Sequence, residues 1–283
     1  MKKTSIFLLI FLFSTFLNAE YYTILPYSIA LKQSKSSLKE SGTLNGIYFS
    51  SGTLSYLTEI SYEHTDIRYK NTTYNLKQDE VTTKYSKYFI NYSYTIGFHY
   101  NSTTDNNLQN GLTYIGALKR WKWLNNLEKR TYGMEIYHST YSNGSDLSNN
   151  QKTINVEQIT FFLNYYKIYS FYSNYFEIKP NIEYARTYNK ILYSLNFQDV
   201  FYYKTFNISL SGFLGKLQTG IQNSGNTVIN SKDIINYKLG IKINYSINKR
   251  LNIGSGYSFI NVNEFNNKNV NNSTISITLG YKL

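Results

Sequence analysis

The chain has 283 residues, 29 basic against 17 acidic side chains, a net charge of +12 and 18% aromatic residues. It contains no cysteine, which excludes disulfides and thiolate metal sites, and no apolar run beyond residue 20 is long enough for a membrane helix. Thirty-one tyrosines and only two prolines favour long β-strands, and the tyrosine ring with its polar tip suits a bilayer interface.

Residues 1–19 have the layout of a cleaved secretory signal peptide. Lys2 and Lys3 precede the apolar run 6–13, and small or polar residues lead to Ala19. The run is too short for a membrane-spanning helix, which needs roughly 20 residues. We therefore predict cleavage after Ala19 and a single mature domain of residues 20–283. Export from the cytoplasm argues against nucleic acid as the partner of the basic surface.

The segment 20–40 allows two interpretations. Residues 22–32 alternate poorly between apolar and polar side chains and include Pro26, which is unfavourable inside a sheet. We expect either a first strand or a periplasmic or lumenal segment here.

From residue 41 onward, apolar and polar residues alternate with the period of a strand that has two different faces. The alternation is clearest in 53–65, 92–101, 175–187, 191–198, 206–215, 234–246, 251–260 and 273–283. It is less regular in 42–51, 79–88, 110–122, 130–141 and 153–167. In 153–167, Ile154 and Val156 are out of phase with Ile159, which predicts a β-bulge. Pro180 lies inside its strand, where proline removes a ladder hydrogen bond.

Strand length and loop length together predict the fold class. Segments such as 234–246 exceed the roughly 9–11 residues that a membrane strand needs, whereas sandwich strands have about 5–6. Short turns such as 247–250 alternate with longer polar loops such as 143–152 and 222–233. Thirteen strands follow residue 41, and bacterial barrels have even strand numbers. The prediction is all-β: a closed antiparallel up-and-down transmembrane β-barrel of about 14 strands, with 12 as the alternative.

The last strand carries a terminal pattern of its own. One face of the segment 273–283 is apolar and formed by Ile275, Ile277, Leu279, Tyr281 and Leu283. With the signal peptide and the hairpin series, this strand resembles those of Gram-negative outer-membrane β-barrel proteins of the porin-like class. The resemblance implies an outer-membrane location, contact with outer-membrane lipid and lipopolysaccharide, and recognition of the last strand by the barrel assembly machinery. Leu283 departs from the aromatic last residue of that class.

No catalytic, cofactor or metal site is visible in the sequence. His138 and Ser142 share a strand face, but four residues along a strand cover about 13 Å, too far for a nucleophile–base hydrogen bond. His64 lies near Asp66 without the further carboxylates that a barrel protease would need. Neither Asp-rich calcium loops nor histidine clusters occur. We expect no enzyme activity, no cofactor and no metal site.

Charged residues on the polar strand faces are the candidates for lining the lumen. They are Glu59, Glu63, Glu80, Lys84, Glu177, Lys179, Glu183, Lys238 and Lys242. Because rings of charge set ion selectivity, they predict a porin-like channel for passive diffusion of small hydrophilic solutes or ions, with slight anion preference from the lysines at 84, 238 and 242. A lumen plugged by side chains and loops stays open as an alternative, since 8-stranded barrels are filled and 16–18-stranded barrels are open.

The sequence leaves two other functions open. A non-conducting surface barrel, an adhesin or structural protein, would act through its extracellular loops. A transporter for hydrophobic molecules would need an apolar pocket in the lumen, together with an amino-terminal plug, for which residues 20–40 are too polar. The identity of the solute and the oligomeric state are left open by the sequence.

Overall fold

A computed structural model describes residues 19–70, 75–104, 110–145, 151–186, 189–218, 221–222, 227–228, 233–264 and 268–282. The strands are β1 Tyr21–Lys32, β2 Lys39–Thr53, β3 Tyr56–Tyr69, β4 Asn75–Tyr88, β5 Tyr92–Thr103, β6 Asn110–Asn125, β7 Glu128–Ser145, β8 Gln151–Ile168, β9 Ser173–Ala185, β10 Lys190–Tyr203, β11 Phe206–Leu217, β12 Ile221–Gln222, β13 Thr227–Val228, β14 Ile234–Ser246, β15 Leu251–Asn263 and β16 Asn269–Lys282. Of the predicted signal peptide, residues 1–19, only Ala19 lies within the described residues.

Fourteen of these strands form one closed antiparallel barrel in which each strand pairs with its neighbours along the chain. β12 and β13 make a separate small hairpin between β11 and β14. The barrel closes where β1 pairs with β16. The prediction of about 14 strands is confirmed, and the alternative of 12 is wrong because residues 21–32 form a complete strand paired with β2 along its whole length.

The two prolines of the chain sit at equivalent places in the barrel. Pro26 pairs with Ile47 of β2, but the pairs between β1 and β16 are missing at Pro26 and the residue before it. Pro180 pairs with Leu195 of β10, while the corresponding pairs with β8 are missing. The register is the same on both sides of each gap. Because proline has no N–H to donate, each strand loses ladder bonds towards one neighbour and keeps those towards the other.

The β-bulge expected in 153–167 is absent from the described residues of that segment. The β7–β8 ladder keeps one register from Glu128–Lys167 to Tyr141–Ile154, and the register shifts only beyond Tyr141. Ile154 and Val156 are buried and Ile159 is exposed. The strand therefore has a single phase, and the expectation failed because it assumed that apolar residues always face outward.

The connections between strands are short at one end of the barrel and longer at the other. We call these the turn end and the loop end. At the turn end, residues 89–91, 204–205 and 247–250 join consecutive strands. At the loop end, longer segments such as 33–38 and 218–233 do so. Among the described residues, no helix is long and apolar enough to cross a bilayer.

Candidate functional site: the barrel lumen

The two faces of the barrel wall differ in chemistry. Successive residues of a strand point to opposite faces, and on β5 the side chain of Ile96 is 58% exposed while that of His99 is 1% exposed. The same contrast recurs around the barrel, with exposed Ile, Leu, Tyr and Phe on one face and buried Ser, Thr, Asn, Glu and Lys on the other. In a closed barrel the exposed face is the outside and the buried face lines the lumen.

All nine charged residues predicted to line the lumen occupy strand positions in phase with this inner face. Lys84 Nζ lies 3.3 Å from Glu59 Oε1, and the lysine side chain is 5% exposed. On the other side of the barrel, Lys179 Nζ lies 3.2 Å from Glu177 Oε1. These ion pairs therefore place charged groups on the inner face of the barrel. A role for the nine residues in a conducting path stays a prediction.

Away from the rims, two further charged residues of the inner face, Lys119 and Glu135, were not predicted. Glu135 is 1% exposed, and its Oε1 lies 3.7 Å from Lys119 Nζ and 3.9 Å from Lys179 Nζ. The hydroxyl of Tyr137 donates to Glu135 Oε2 at 2.6 Å. Lys119 lies in the segment 110–122 and Glu135 in the segment 130–141. Apolar residues on both faces made the alternation of these segments irregular. Extending the period of two from Thr131 would have placed Glu135 on the inner face.

A pair of carboxylates lies on the inner face of β3 and β4. Glu63 and Glu80 are register partners. The hydroxyl of Tyr27 donates to Glu63, and the amide of Gln78 donates to Glu80. His99 Nε2 is 4.0 Å from Glu80 Oε1. Within the described residues no lysine or arginine forms an ion pair with either carboxylate, so this side of the lumen is acidic.

The opposite side of the lumen is basic. Lys238 and Lys242 project from β14 into a polar cavity of ≈ 240 Å³ that Glu177 and Lys179 also line. Within the residues that the structure covers, neither β14 lysine forms an ion pair. A second polar cavity of ≈ 270 Å³ includes Glu59 in its lining. The middle of the lumen therefore has space between side chains, with carboxylates that lack a cation on β3 and β4 and lysines that lack an ion pair on β14.

Apolar side chains line the inner face near the loop end. They are buried and close to the loop-side ends of their strands, and we name them the loop-end collar: Leu76, Tyr141, Ile154, Val156, Ala185, Leu192, Leu217, Val262 and Val270. Part of the collar joins Ile115 and Tyr137 in one packed cluster. The sequence analysis did not predict this surface, because it assigned apolar residues to the outer face. The sequence did contain one signal of it: Ile154 and Val156 are out of phase with the apolar residue Ile159 of the same strand.

The three histidines lie apart from one another. His64 Nδ1 is 2.9 Å from Asp79 Oδ1, and His138 Nδ1 is 2.7 Å from Glu157 Oε1, both at exposed positions. His99 is buried on the inner face. In the part of the chain that is described, no group of three or more His, Asp or Glu residues is arranged to hold a metal. The expectations of no enzyme activity and no cofactor stay predictions.

The last strand closes the barrel between β15 and β1. Ile275, Ile277, Leu279 and Tyr281 are exposed on its outer face, at 38–58%. Leu283 lies outside the described residues. The outer face of β16 therefore presents an apolar row to the surroundings.

No family model and no curated protein matches the sequence. Solved structures do match. The toluene transporter TodX of Pseudomonas putida is 7% identical with a TM-score of 0.50, covering 94% of this chain and 89% of that one. The toluene transporter TbuX of Ralstonia pickettii is 8% identical with a TM-score of 0.50, covering 93% and 88%.

The CymD monoaromatic hydrocarbon channel is also 8% identical, with a TM-score of 0.50 and coverage of 93% and 87%. At such low identity these matches show the fold alone. The resemblance to Gram-negative outer-membrane β-barrels is confirmed at that level.

Proposed function

We propose that this protein is an outer-membrane channel that passes small hydrophilic solutes or ions by passive diffusion. The observation that carries the proposal is a closed 14-stranded barrel with an apolar outer face and a charged inner face. Away from the rims, the inner face bears six glutamates and five lysines, which is more charge than a dry, filled interior tolerates. They are Glu59, Glu63, Glu80, Glu135, Glu177, Glu183, Lys84, Lys119, Lys179, Lys238 and Lys242.

A slight anion preference is part of this proposal. The inner charges nearly balance in number, so any preference has to come from charges without an ion pair to a lysine or glutamate. Glu63 and Glu80 are of this kind, but each accepts a hydrogen bond from a neighbouring side chain that disperses its charge. Lys84, Lys119 and Lys179 each form an ion pair with a glutamate. Lys238 and Lys242 form none with a described carboxylate, although Glu177 lines the same cavity. An uncompensated lysine in a narrow lumen attracts anions more strongly than a paired one.

Planar-bilayer recording tests conduction and selectivity together. The refolded chain of residues 20–283 is expected to give stepwise conductance, with a reversal potential on the anion-selective side in a KCl gradient. The double variant Lys238→Gln, Lys242→Gln is expected to move the reversal potential towards zero. The control variant Lys249→Gln, Arg250→Gln removes the same charge from the exposed turn 247–250 and is expected to leave it unchanged. No conductance in any salt would refute the channel and leave the non-conducting surface barrel.

The loop-end collar favours a second candidate, a channel for small hydrophobic molecules. Nine buried apolar side chains near one mouth of the lumen are the surface that an apolar solute would contact, and the fold neighbours named above include toluene transporters. Proteoliposome uptake of a small aromatic hydrocarbon against a monosaccharide of similar size decides between the two. Uptake of the hydrocarbon alone would replace the first candidate with the second.

Localisation and assembly are proposals of the same kind. The signal peptide and the apolar row on β16 support residence in the outer membrane, contact with its lipid and lipopolysaccharide, and recognition by the barrel assembly machinery. Fractionation of cells that express the full chain is expected to place a polypeptide beginning at Glu20 in the outer membrane. A polypeptide that retains residues 1–19, or that stays in the soluble fraction, would contradict this.

A further inference from the structure

The outer face of β6 and β7 near the turn end carries three cations where lipid is expected. Arg120, Lys122 and Arg130 are all exposed. Lys122 is the register partner of Arg130, and Arg120 lies two residues away on the same face. Like charges directly opposite each other destabilise a sheet. We name these three residues the turn-end basic triad.

The described carboxylates leave the triad with an excess of positive charge. Within the described residues, none of its three members forms an ion pair. The acidic side chain closest along the chain, Glu128, attracts Arg130 electrostatically but is engaged with Lys167 at 2.8 Å. Arg130 also lies over the ring of Tyr165, 5.9 Å from its centroid. Three adjacent cations that share one carboxylate with a fourth carry an excess of positive charge, and an external anion stabilises such an arrangement.

Aromatic side chains mark this level of the barrel as the membrane interface. The register places Arg120 between Tyr92 of β5 and Tyr132 of β7, both exposed on the outer face. At the rim itself, the indole Nε1 of Trp121 donates to the carbonyl of Ile90, in the turn 89–91, at 3.1 Å. Aromatic girdles of this kind lie at the level of lipid head groups. The triad is therefore placed to meet head groups rather than acyl chains.

An apolar groove runs from the triad towards the middle of the outer wall. It has a volume of ≈ 480 Å³ and is lined by Leu118, Tyr132, Met134 and Phe161 as well as Arg120. Gly133 and Phe162 complete its lining. A Cβ at Gly133 would lie 2.1 Å from the carbonyl oxygen of Leu118 and 2.5 Å from the buried ring of Phe162, so this position accepts no side chain.

A second groove of ≈ 450 Å³ lies on the turn side of the first and shares Arg120 and Tyr132 with it. Lys122, Trp121 and Trp123 complete much of its lining. One groove is thus mainly apolar and the other combines cations with indole rings. Their order matches an amphiphile whose chain lies against the wall and whose anionic head lies at the rim.

We propose that the turn-end basic triad and the two grooves bind one anionic phospholipid. The phosphate lies among Arg120, Lys122 and Arg130, and an acyl chain lies along Leu118, Met134 and Phe161. Short turns face the periplasm in bacterial barrels, so this lipid comes from the inner leaflet of the outer membrane and not from lipopolysaccharide. The proposal does not depend on whether the lumen conducts.

Native mass spectrometry of the purified chain of residues 20–283 in detergent tests the proposal. Phosphatidylglycerol and phosphatidylethanolamine with identical acyl chains are titrated separately. Since one basic side chain near an anionic surface contributes about fivefold in affinity, three predict a preference for phosphatidylglycerol of at least tenfold. The variant Arg120→Gln, Lys122→Gln, Arg130→Gln is expected to bind both lipids within about twofold of each other.

Two further variants separate the site from general charge and from misfolding. Lys204→Gln, Lys249→Gln, Arg250→Gln removes three exposed charges at the same end of the barrel and is expected to keep the preference. Met134→Trp fills the apolar groove and leaves the triad intact. It is expected to weaken the binding of both lipids by the same factor. Equal binding of the two lipids by the unaltered chain, loss of preference in the control, or displacement of phosphatidylglycerol by lipopolysaccharide would overturn the proposal.

Discussion

The loop end and the middle of the lumen are formed by the same strands, yet their inner faces bury opposite kinds of side chain. β7 shows this within one strand: Glu135 takes part in a network with lysines, while Tyr141, three inner-face positions further, packs among Ile154 and Val156. β9 repeats the change from Lys179 to Ala185. Along the barrel axis, the inner face therefore has an apolar zone at the loop end and a charged zone in the middle. A solute that passes through the lumen meets one after the other.

The zones are stabilised by different physical terms. The collar is stabilised by burial of apolar area and close packing, which depends on shape and little on salt. The ion pairs of the charged zone depend on both partners being present, since removing one leaves a buried charge unpaired at a cost of several kcal/mol. Substitutions that remove one side chain from each zone should therefore differ in their effect on stability and on salt dependence.

The largest effect is expected in the collar. Tyr141→Ala removes a side chain that is 0% exposed, and large-to-small substitutions of this type cost about 4 kcal/mol of unfolding free energy. Urea unfolding in lipid vesicles, followed by tryptophan fluorescence, measures the loss. Tyr245→Ala, at an outer position 40% exposed, is the matched control, and an equal loss there would show that the collar has no special role.

The charged zone is expected to respond somewhat less. Glu135→Gln leaves Lys119 without a carboxylate partner and weakens the surroundings of Lys179, which we expect to cost about 3 kcal/mol. The same unfolding assay measures it, and raising the salt concentration should reduce the cost. Glu157→Gln, beside exposed His138, is the control and should change stability by less than about 0.5 kcal/mol. Equal effects at both sites would contradict a buried network.

The fold could be predicted from the sequence because strand period, strand length and loop length are all local signals. The outer face is the simpler case: where it meets hydrocarbon its residues, such as Ile277 and Leu239, are apolar, and its charged residues, such as Arg120, lie towards the ends of the strands. The inner face was only partly predictable. Polar residues on it stood out against apolar neighbours, but Val156 and Leu192 face inward and are also apolar, so alternation alone cannot distinguish them from residues that face lipid.

Long-range pairing is the other part that the sequence could not supply. Glu135 meets Lys119 of β6 and Lys179 of β9 because three registers bring them together. Registers depend on turn geometry and on shifts such as that between Leu214 and Leu217 of β11. No local pattern shows these registers, and the ion pairs of the inner face follow from them.

The collar also makes a prediction about permeation. Val156→Thr keeps the shape of a side chain that is 1% exposed and adds a hydroxyl, and Leu192→Asn adds an amide on the same zone. If the collar limits the passage of hydrophilic solutes, the double variant should raise monosaccharide permeation of proteoliposomes by about fivefold, the effect of about 1 kcal/mol on a barrier. Ile159→Thr on the outer face is the control. Unchanged permeation would show that the narrowest zone lies elsewhere.

The smallest net effect is expected for the ion pair between β3 and β4. Lys84→Gln alone leaves Glu59 with the hydroxyl of Tyr48 at 2.8 Å but without a cation, and it should cost about 2 kcal/mol. Glu59→Gln combined with Lys84→Gln removes both charges and leaves two amides that can bond to each other, so it should change stability by less than about 1 kcal/mol. The double-mutant cycle, measured by urea unfolding, gives the coupling directly. Additive losses would mean that water, and not the partner, stabilises each charge. The charged zone would then contain more water than the 5% exposure of the Lys84 side chain indicates.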